Sequence, residues 1–243
     1  MELSDATKIL EFVSNFQTKA QAIKRYEGNP YVEGDNIAEH LSRVARLLIC
    51  IAPDLKKEFP NEPALIEETL VCLLVHDDDE VIDGFDIPAP IKSHNSKDDE
   101  EIEKFKEHVS KLTKETRDLL TSTFGSFRKK DTLFAKIAKV LDNISGNQLV
   151  IEQKIGLISP DQAKFAIEYA QKVKGVSKIT DYIIDAQVAQ IVEYRDYLKS
   201  NPDELNKING VSEFIEKAKE LLQIDVLSHS LDKNKIFTPL NQL

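Results

Sequence analysis

The sequence has no tryptophan and a single methionine, with only two cysteines, eight glycines and nine prolines among 243 residues. So little glycine and proline excludes collagen-like, linker-rich and low-complexity architectures. The two cysteines, Cys50 in LLICIA and Cys72 in LVCLLV, have no CxxC spacing. They exclude a disulfide scaffold and a thiolate metal site, and their apolar settings predict buried, reduced thiols. Cations are also in deficit, 32 Lys+Arg against 42 Asp+Glu for a net charge of −10. A chain without spare cations cannot neutralise phosphates along a duplex, so no nucleic-acid partner is expected. A single small phosphorylated ligand is still compatible, because a bound metal can supply the missing positive charge. No apolar run approaches the roughly 20 residues of a membrane span, and MELSDATKILEF carries acids where a signal peptide needs basic residues. No membrane is expected as a partner, and the expected location is cytoplasmic.

Apolar residues make up 41% of the chain and charged ones 30%, the balance of a globular protein with a substantial core. They recur at three- and four-residue intervals, and alternation with period two is nearly absent. The prediction is an all-α fold. The expected helices run over about 4–24, 36–53, 62–80, 97–122, 131–156, 160–173, 177–199 and 211–224. Asp35 or Asn36 would start the second helix, and Asn61-Glu62-Pro63 the third, while Pro160-Asp161 and Asn201-Pro202 punctuate the later part. With no repeat and no Gly/Ser linker, the simplest partition is a core over 1–157 and a helical extension over 158–243. The extension is amphipathic, with Ile183, Ile184, Val188, Ile191, Val192 and Tyr194 as an apolar stripe. It would pack on the core, form an oligomer interface or cap a site. Residues 81–95 contain Gly84, Pro88 and Pro90 and must leave helix as a loop.

Chemistry concentrates around that loop. In VCLLVHDDDE, apolar residues 70–75 deliver His76, Asp77, Asp78, Asp79 and Glu80. Read as the end of the third helix, this crowds carboxylates where the macrodipole disfavours negative charge. Such a breach of local rules marks a functional site that a cation would relieve, or else a solvated acidic helix end. In NIAEHLSRVARLLI, His40 shares a face with Val44, Leu47, Leu48 and Ile51, so it points inward. Taken alone it also reads as a hydrogen-bonded core histidine. Asp142 in LFAKIAKVLDNIS shares a face with Ala138, Ser145 and Leu149, and a buried carboxylate is costly unless paired or metal-bound. Two imidazoles and two carboxylates on separate helices form a mixed N/O set suited to a divalent ion such as Mn, Fe(II), Co, Zn or Mg.

The order His…His-Asp…Asp, with the last acid 65 residues beyond Asp77 on an all-α chain, resembles the HD-domain metal-dependent phosphohydrolases. The resemblance narrows to their 5′-deoxynucleotidase branch. NIAEH is similar to that branch's first-ligand motif, HDDDE to its HDxxE pattern, and GFDIPAPIK to its GD(I/L)PTPxK loop. Arg25-Tyr26 falls 15 residues before His40, where the branch places an Arg-Trp pair that touches substrate. Two departures stand out: Phe85 is inserted within the GD pair, and Tyr26 replaces Trp. The similarity covers about residues 20–156.

The resemblance implies His40, His76, Asp77 and Asp142 as metal ligands, Glu80 and Asp86 as catalytic acids, and Arg25 and Tyr26 as substrate contacts. Lys92 is a weaker phosphate candidate, with an ordinary surface lysine the favoured reading. Among the remaining histidines, His94 and His229 are expected in solvent or in the poorly patterned tail, and His108 on an exposed polar helix. Asp78 and Asp79 would serve a second ion or face water. The implied activity is removal of the 5′-phosphate from (deoxy)nucleoside monophosphates by a homodimeric enzyme. The same residues could release tri- or pyrophosphate from nucleotides, and a non-catalytic nucleotide-sensing protein is the reading from another class. Residues 77–101 hold ten acids against Lys92 and Lys97, so most of the chain's negative excess lies beside the expected ligands.

Overall fold

The computed structural model describes residues 3–26, 32, 34–86, 98–201 and 203–204. Lys92, His94 and the prolines Pro88 and Pro90 lie outside the described residues, as do the expected helix 211–224 and His229. The fold is all-α. The helices are α1 (Leu3–Ala22), α2 (Ile37–Glu58), α3 (Leu65–Val75), α4 (Asp78–Asp83), α5 (Asp98–His108), α6 (Lys114–Lys129), α7 (Leu133–Gln153), α8 (Pro160–Gln171) and α9 (Lys178–Ser200), with a 3₁₀ turn at Ile155–Ile158. Among the described residues there is no strand, only an isolated bridge between Lys24 and Asn36. No helix among them is long and apolar enough to cross a membrane.

Helix α2 starts at Asn36 with a reciprocal cap: Asn36 Oδ1 accepts the Glu39 N–H at 2.9 Å, and the Asn36 N–H donates to Glu39 Oε2 at 3.3 Å. Ile37, Leu41, Val44, Leu48, Ile51 and Leu55 form its buried stripe together with His40. The helix continues past Pro53 to Glu58, beyond the expected end at residue 53. Proline removes one backbone donor, but fully buried Leu55 fastens the following turn. The same periodicity turns Ile49 and Cys50 away from the stripe. Cys50 is therefore exposed, against the sequence expectation, whereas Cys72 is buried and burial pushes its thiol up to about 12.

The expected helix 62–80 is two helices, with the chain turning at His76-Asp77 between α3 and α4. Asp78, Asp79 and Glu80 therefore occupy the first turn of a new helix, not the last turn of an old one. The macrodipole favours carboxylates there, which reverses the sequence-based objection. Gly84 closes α4 in the left-handed region at φ 83°, and its N–H bonds the Glu80 carbonyl at 2.8 Å. The expected helix 97–122 also divides, because Thr113 caps α6 by accepting the Thr116 N–H at 3.4 Å.

The chain forms two compact units, one of Met1–Glu27 with Gly34–Asp142, the other taking Asn143 onward with residues 28–33. The changeover falls inside α7. In the first unit, Val75, Ile102, Phe105, Val109, Leu112 and Phe124 pack together, with Phe105 and Phe124 stacked at 4.4 Å between ring centroids. A neighbouring cluster joins Ala20, Ile23, Ile37, Leu41 and Val81. Together these bind α1, α2, α4, α5 and α6 around the site. His108, expected in solvent, is half-buried against Phe12, the ring centroids 5.3 Å apart.

In the second unit, α9 buries Thr180, Ile184, Gln187, Ile191, Arg195 and Leu198, whereas Val192 from the expected stripe is 38% exposed. The polar members of this face are bonded. Gln187 donates to the Ile144 carbonyl at 2.9 Å, and Arg195 donates to the Ile158 carbonyl at 2.7 Å. Buried polar groups kept in an apolar stripe require such partners.

Candidate metal centre

Three pieces of local structure bring the candidate ligands together. His40 lies one turn into α2, His76 and Asp77 form the corner between α3 and α4, and Asp142 lies midway along α7. His40 and His76 are fully buried, and Asp77 and Asp142 nearly so. Their reactive atoms converge. His40 Nε2 is 3.2 Å from His76 Nε2, 3.2 Å from Asp142 Oδ1 and 3.6 Å from Asp77 Oδ2. His76 Nε2 is 3.2 Å from Asp77 Oδ2 and 3.6 Å from Asp142 Oδ1. Donors bonded at about 2.1 Å to one ion are separated by about 3.0–3.4 Å at octahedral or tetrahedral angles. His40, His76 and Asp142 form a group able to hold a metal ion; Asp77 Oδ2 lies outside that group but close to both imidazoles, 3.2 Å from His76 Nε2 and 3.6 Å from His40 Nε2.

Two details support the fit. His76 Nδ1 lies 2.8 Å from the Leu73 carbonyl. A carbonyl only accepts, so Nδ1 carries a proton, and Nε2, which faces the cluster, is the atom a metal would bind in place of that nitrogen's own proton. Asp77 Oδ2 is buried without a well-aligned hydrogen bond. An ionised oxygen in that state needs a facing cation, which the His76 ring 3.2 Å away supplies and which a bound metal ion would supply in its place. Phe127 packs edge-on to the His76 ring at 5.1 Å and keeps that side of the site apolar.

Charge is distributed unevenly among these groups. Burial opposes ionisation of Asp142, but Lys139 and the two imidazoles outweigh it and hold the carboxyl well below its usual range. Burial likewise opposes Asp77, which His76, Arg25 and His40 hold well below that range. His40 is lowered by burial and by Arg25, against the pull of the two aspartates. His76 is raised to about 10, because Asp77 and Asp142 overcome its burial. Asp78 is pushed well above the carboxylate range by burial and by Asp79 and Asp77. Its Oδ1 is buried and lacks a hydrogen-bond partner among the described residues. The run HDDDE is thus not five equal ligands. Asp79 pairs with Arg128, whose Nε also lies 3.1 Å from Glu101.

Arg25 and Tyr26 are held beside this centre. The Arg25 guanidinium is 3.9 Å from Asp142 Oδ1 and 4.0 Å from Asp35 Oδ1. Burial works against its charge, but Tyr26, Asp77, Asp142 and Glu80 raise its pKa above the ordinary arginine value. Its Nε and Nη1 are buried and lack hydrogen-bond partners among the described residues. The backbone around it is fixed closely. The Arg25 N–H bonds the Asp35 carbonyl at 2.8 Å, and a Cβ on Gly34 would lie 1.4 Å from the Arg25 carbonyl oxygen. Tyr26 is left-handed at φ 58°, and its N–H donates to Asp86 Oδ2 at 2.6 Å. Strained backbone of this kind is kept where surrounding structure over-determines it, most often at functional sites. Asp86, 60 residues away in sequence, therefore meets Tyr26 despite the Phe85 insertion. Glu80 is buried in the first turn of α4.

Four charged partners were not legible as site residues. Lys139 precedes Asp142 by one turn and donates to its Oδ2 at 2.7 Å, a same-face spacing that could have been noticed. Arg43 pairs with Asp35 at 3.0 Å. Asp35 itself reads in the sequence only as a helix start. Arg128 reaches Asp79 from a different helix, with no local signal.

No curated protein and no solved structure matches the chain. A family model described as 5′-deoxynucleotidase YfbR-like matches residues 12–193, a span that includes His40, His76, Asp77, Glu80, Asp86, Asp142 and the Arg25-Tyr26 pair. That is most of the chain, and the protein belongs to the YfbR-like 5′-deoxynucleotidase family.

Proposed function

We propose that this protein is a metal-dependent phosphomonoesterase that removes the 5′-phosphate from nucleoside monophosphates, preferentially deoxynucleotides. Family membership supports a nucleotide phosphohydrolase. The observation that carries the finer reading is that His40 Nε2 and His76 Nε2 each lie 3.2–3.6 Å from both Asp77 Oδ2 and Asp142 Oδ1, with a buried guanidinium 3.9 Å from Asp142.

His40, His76, Asp77 and Asp142 would hold the ion, of the Co, Mn, Mg, Zn or Fe class. Once bound, the ion supplies Lewis-acid polarisation of a phosphate oxygen and acidifies a coordinated water. Arg25, whose Nε and Nη1 lack hydrogen-bond partners among the described residues, contacts the phosphate through its guanidinium. Glu80 takes the proton of the attacking water, and Asp86 gives one to the leaving 5′ oxygen. Tyr26 bounds the sugar or stacks on the base. Lys92 is a further candidate contact for the phosphate. The resemblance further supports a cytoplasmic homodimer, which light scattering of the purified chain tests for its oligomeric part.

The test of function is product analysis. Metal-loaded protein is offered deoxy- and ribonucleoside mono-, di- and triphosphates with Co or Mn. Inorganic phosphate from 5′-monophosphates supports the reading; pyrophosphate or triphosphate released from longer nucleotides supports the rival use of the same residues. Release of none of these by metal-loaded protein would favour nucleotide sensing.

A further inference from the structure

Lys139 has no part in the ligand set, yet it governs how one member of that set is presented. The two oxygens of Asp142 have separate partners. Oδ1 faces the imidazoles, 3.2 Å from His40 Nε2 and 3.6 Å from His76 Nε2. Oδ2 accepts from Lys139 Nζ at 2.7 Å. Lys139 and Asp142 are three residues apart on α7 and so share its face. The ammonium also lies 5.5 Å from the centroid of Phe127, the ring packed on His76. It is thus held between the carboxylate and an aromatic face, partly open to water, its side chain 33% exposed.

Resting on the metal-site reading above, we propose that Lys139 is a positioning residue that fixes Asp142 as a one-oxygen ligand and so keeps a coordination position open for the substrate phosphate. A carboxylate can bind an ion through one oxygen or two. With Oδ2 hydrogen-bonded to a cation, only Oδ1 is available, and the same bond holds the carboxylate plane in place. Without the ammonium, Oδ2 can turn toward the ion and occupy the position that water or phosphate would use. The chain's acidic character makes this control necessary. Asp77 and Asp142 both face the site, and a second oxygen from either would compete with the phosphate.

The experiment uses the full-length protein loaded with Co(II), whose visible absorption reports the number and geometry of ligands, titrated with inorganic phosphate. In the wild type, phosphate perturbs the Co band. In Lys139→Met the phosphate-free band already differs, and roughly tenfold or more phosphate is needed for the same perturbation. Lys139→Arg, which can also donate to Oδ2, restores both toward wild type. Lys139→Gln is read beside the Met variant, with circular dichroism confirming that each is folded. A phosphate-free Co band in folded Lys139→Met and Lys139→Gln identical to wild type overturns the inference even if phosphate binds more weakly, because that pattern belongs to a lysine that touches phosphate itself. A wild type that takes up no Co overturns the metal-site reading and this inference with it.

Discussion

At the residue scale, the site works by giving chemically similar groups different surroundings. Four consecutive acids, Asp77 to Glu80, share a backbone corner, yet His76 and Arg25 hold Asp77 well below the usual carboxylate range while burial pushes its neighbour Asp78 above it. Asp79 is engaged by Arg128. In the proposed mechanism Glu80, in the first turn of α4, takes the proton. Replacing Glu80 by Gln preserves shape and removes the base, so turnover should fall by about 10²–10⁴-fold with metal content unchanged by elemental analysis. Loss of metal together with activity would make Glu80 a ligand instead. The ligand types at this scale are legible in the sequence, because an inward histidine and an inward aspartate follow from helical periodicity. Their charged partners are not: the ion pair of Arg128 with Asp79 links residues far apart on different helices.

At the element scale, the sequence shows helices well and their breaks poorly. The break at His76-Asp77 interrupts a run whose apolar residues and acids fit one helix, and only the tertiary corner separates them. That break is what swings the acids into a favourable first turn. The turn carrying Arg25 depends on Gly34, since a Cβ there would overlap the Arg25 carbonyl. Gly34→Ala should cost about 1–3 kcal/mol by overpacking, seen as a lower midpoint in urea, and should weaken substrate binding because Arg25 moves with its carbonyl. An unchanged midpoint would show that the chain yields there at no cost.

The contact between α1 and the end of α5 should respond to pH through His108. Burial, and then Lys19, lower its pKa from the ordinary 6.5, and Nε2 has no hydrogen-bond partner among the described residues. The unfolded chain therefore takes up a proton before the folded one does. Stability from this residue is present above about pH 6.5 and is lost as the pH falls through that value toward the lowered one. The drop in melting temperature between pH 7.5 and 5.5 should be smaller for His108→Asn than for wild type. Equal drops would remove His108 as the cause.

At the scale of the whole molecule, three pieces of the chain that are remote in sequence, α2, the α3–α4 corner and α7, supply the candidate ligands. An ion bound there links them, and binding to the folded state alone adds stability in proportion to the logarithm of ion concentration. Removing metal with a chelator should lower the melting temperature, and adding Mn or Co back should restore it in a concentration-dependent way. His40→Ala should melt lower and lose this metal response. A melting temperature indifferent to chelator and metal would dissociate these residues from any ion. The net charge of −10 belongs to the same picture: under the proposed function, a chain this acidic would recruit a phosphate through a bound cation and Arg25, not through a basic surface.

The most direct measurement is the product formed by metal-loaded protein from a panel of nucleotides. The account predicts inorganic phosphate and free nucleoside from deoxynucleoside 5′-monophosphates, dependent on added Mn or Co. Protein that holds its metal and leaves those monophosphates intact would contradict it.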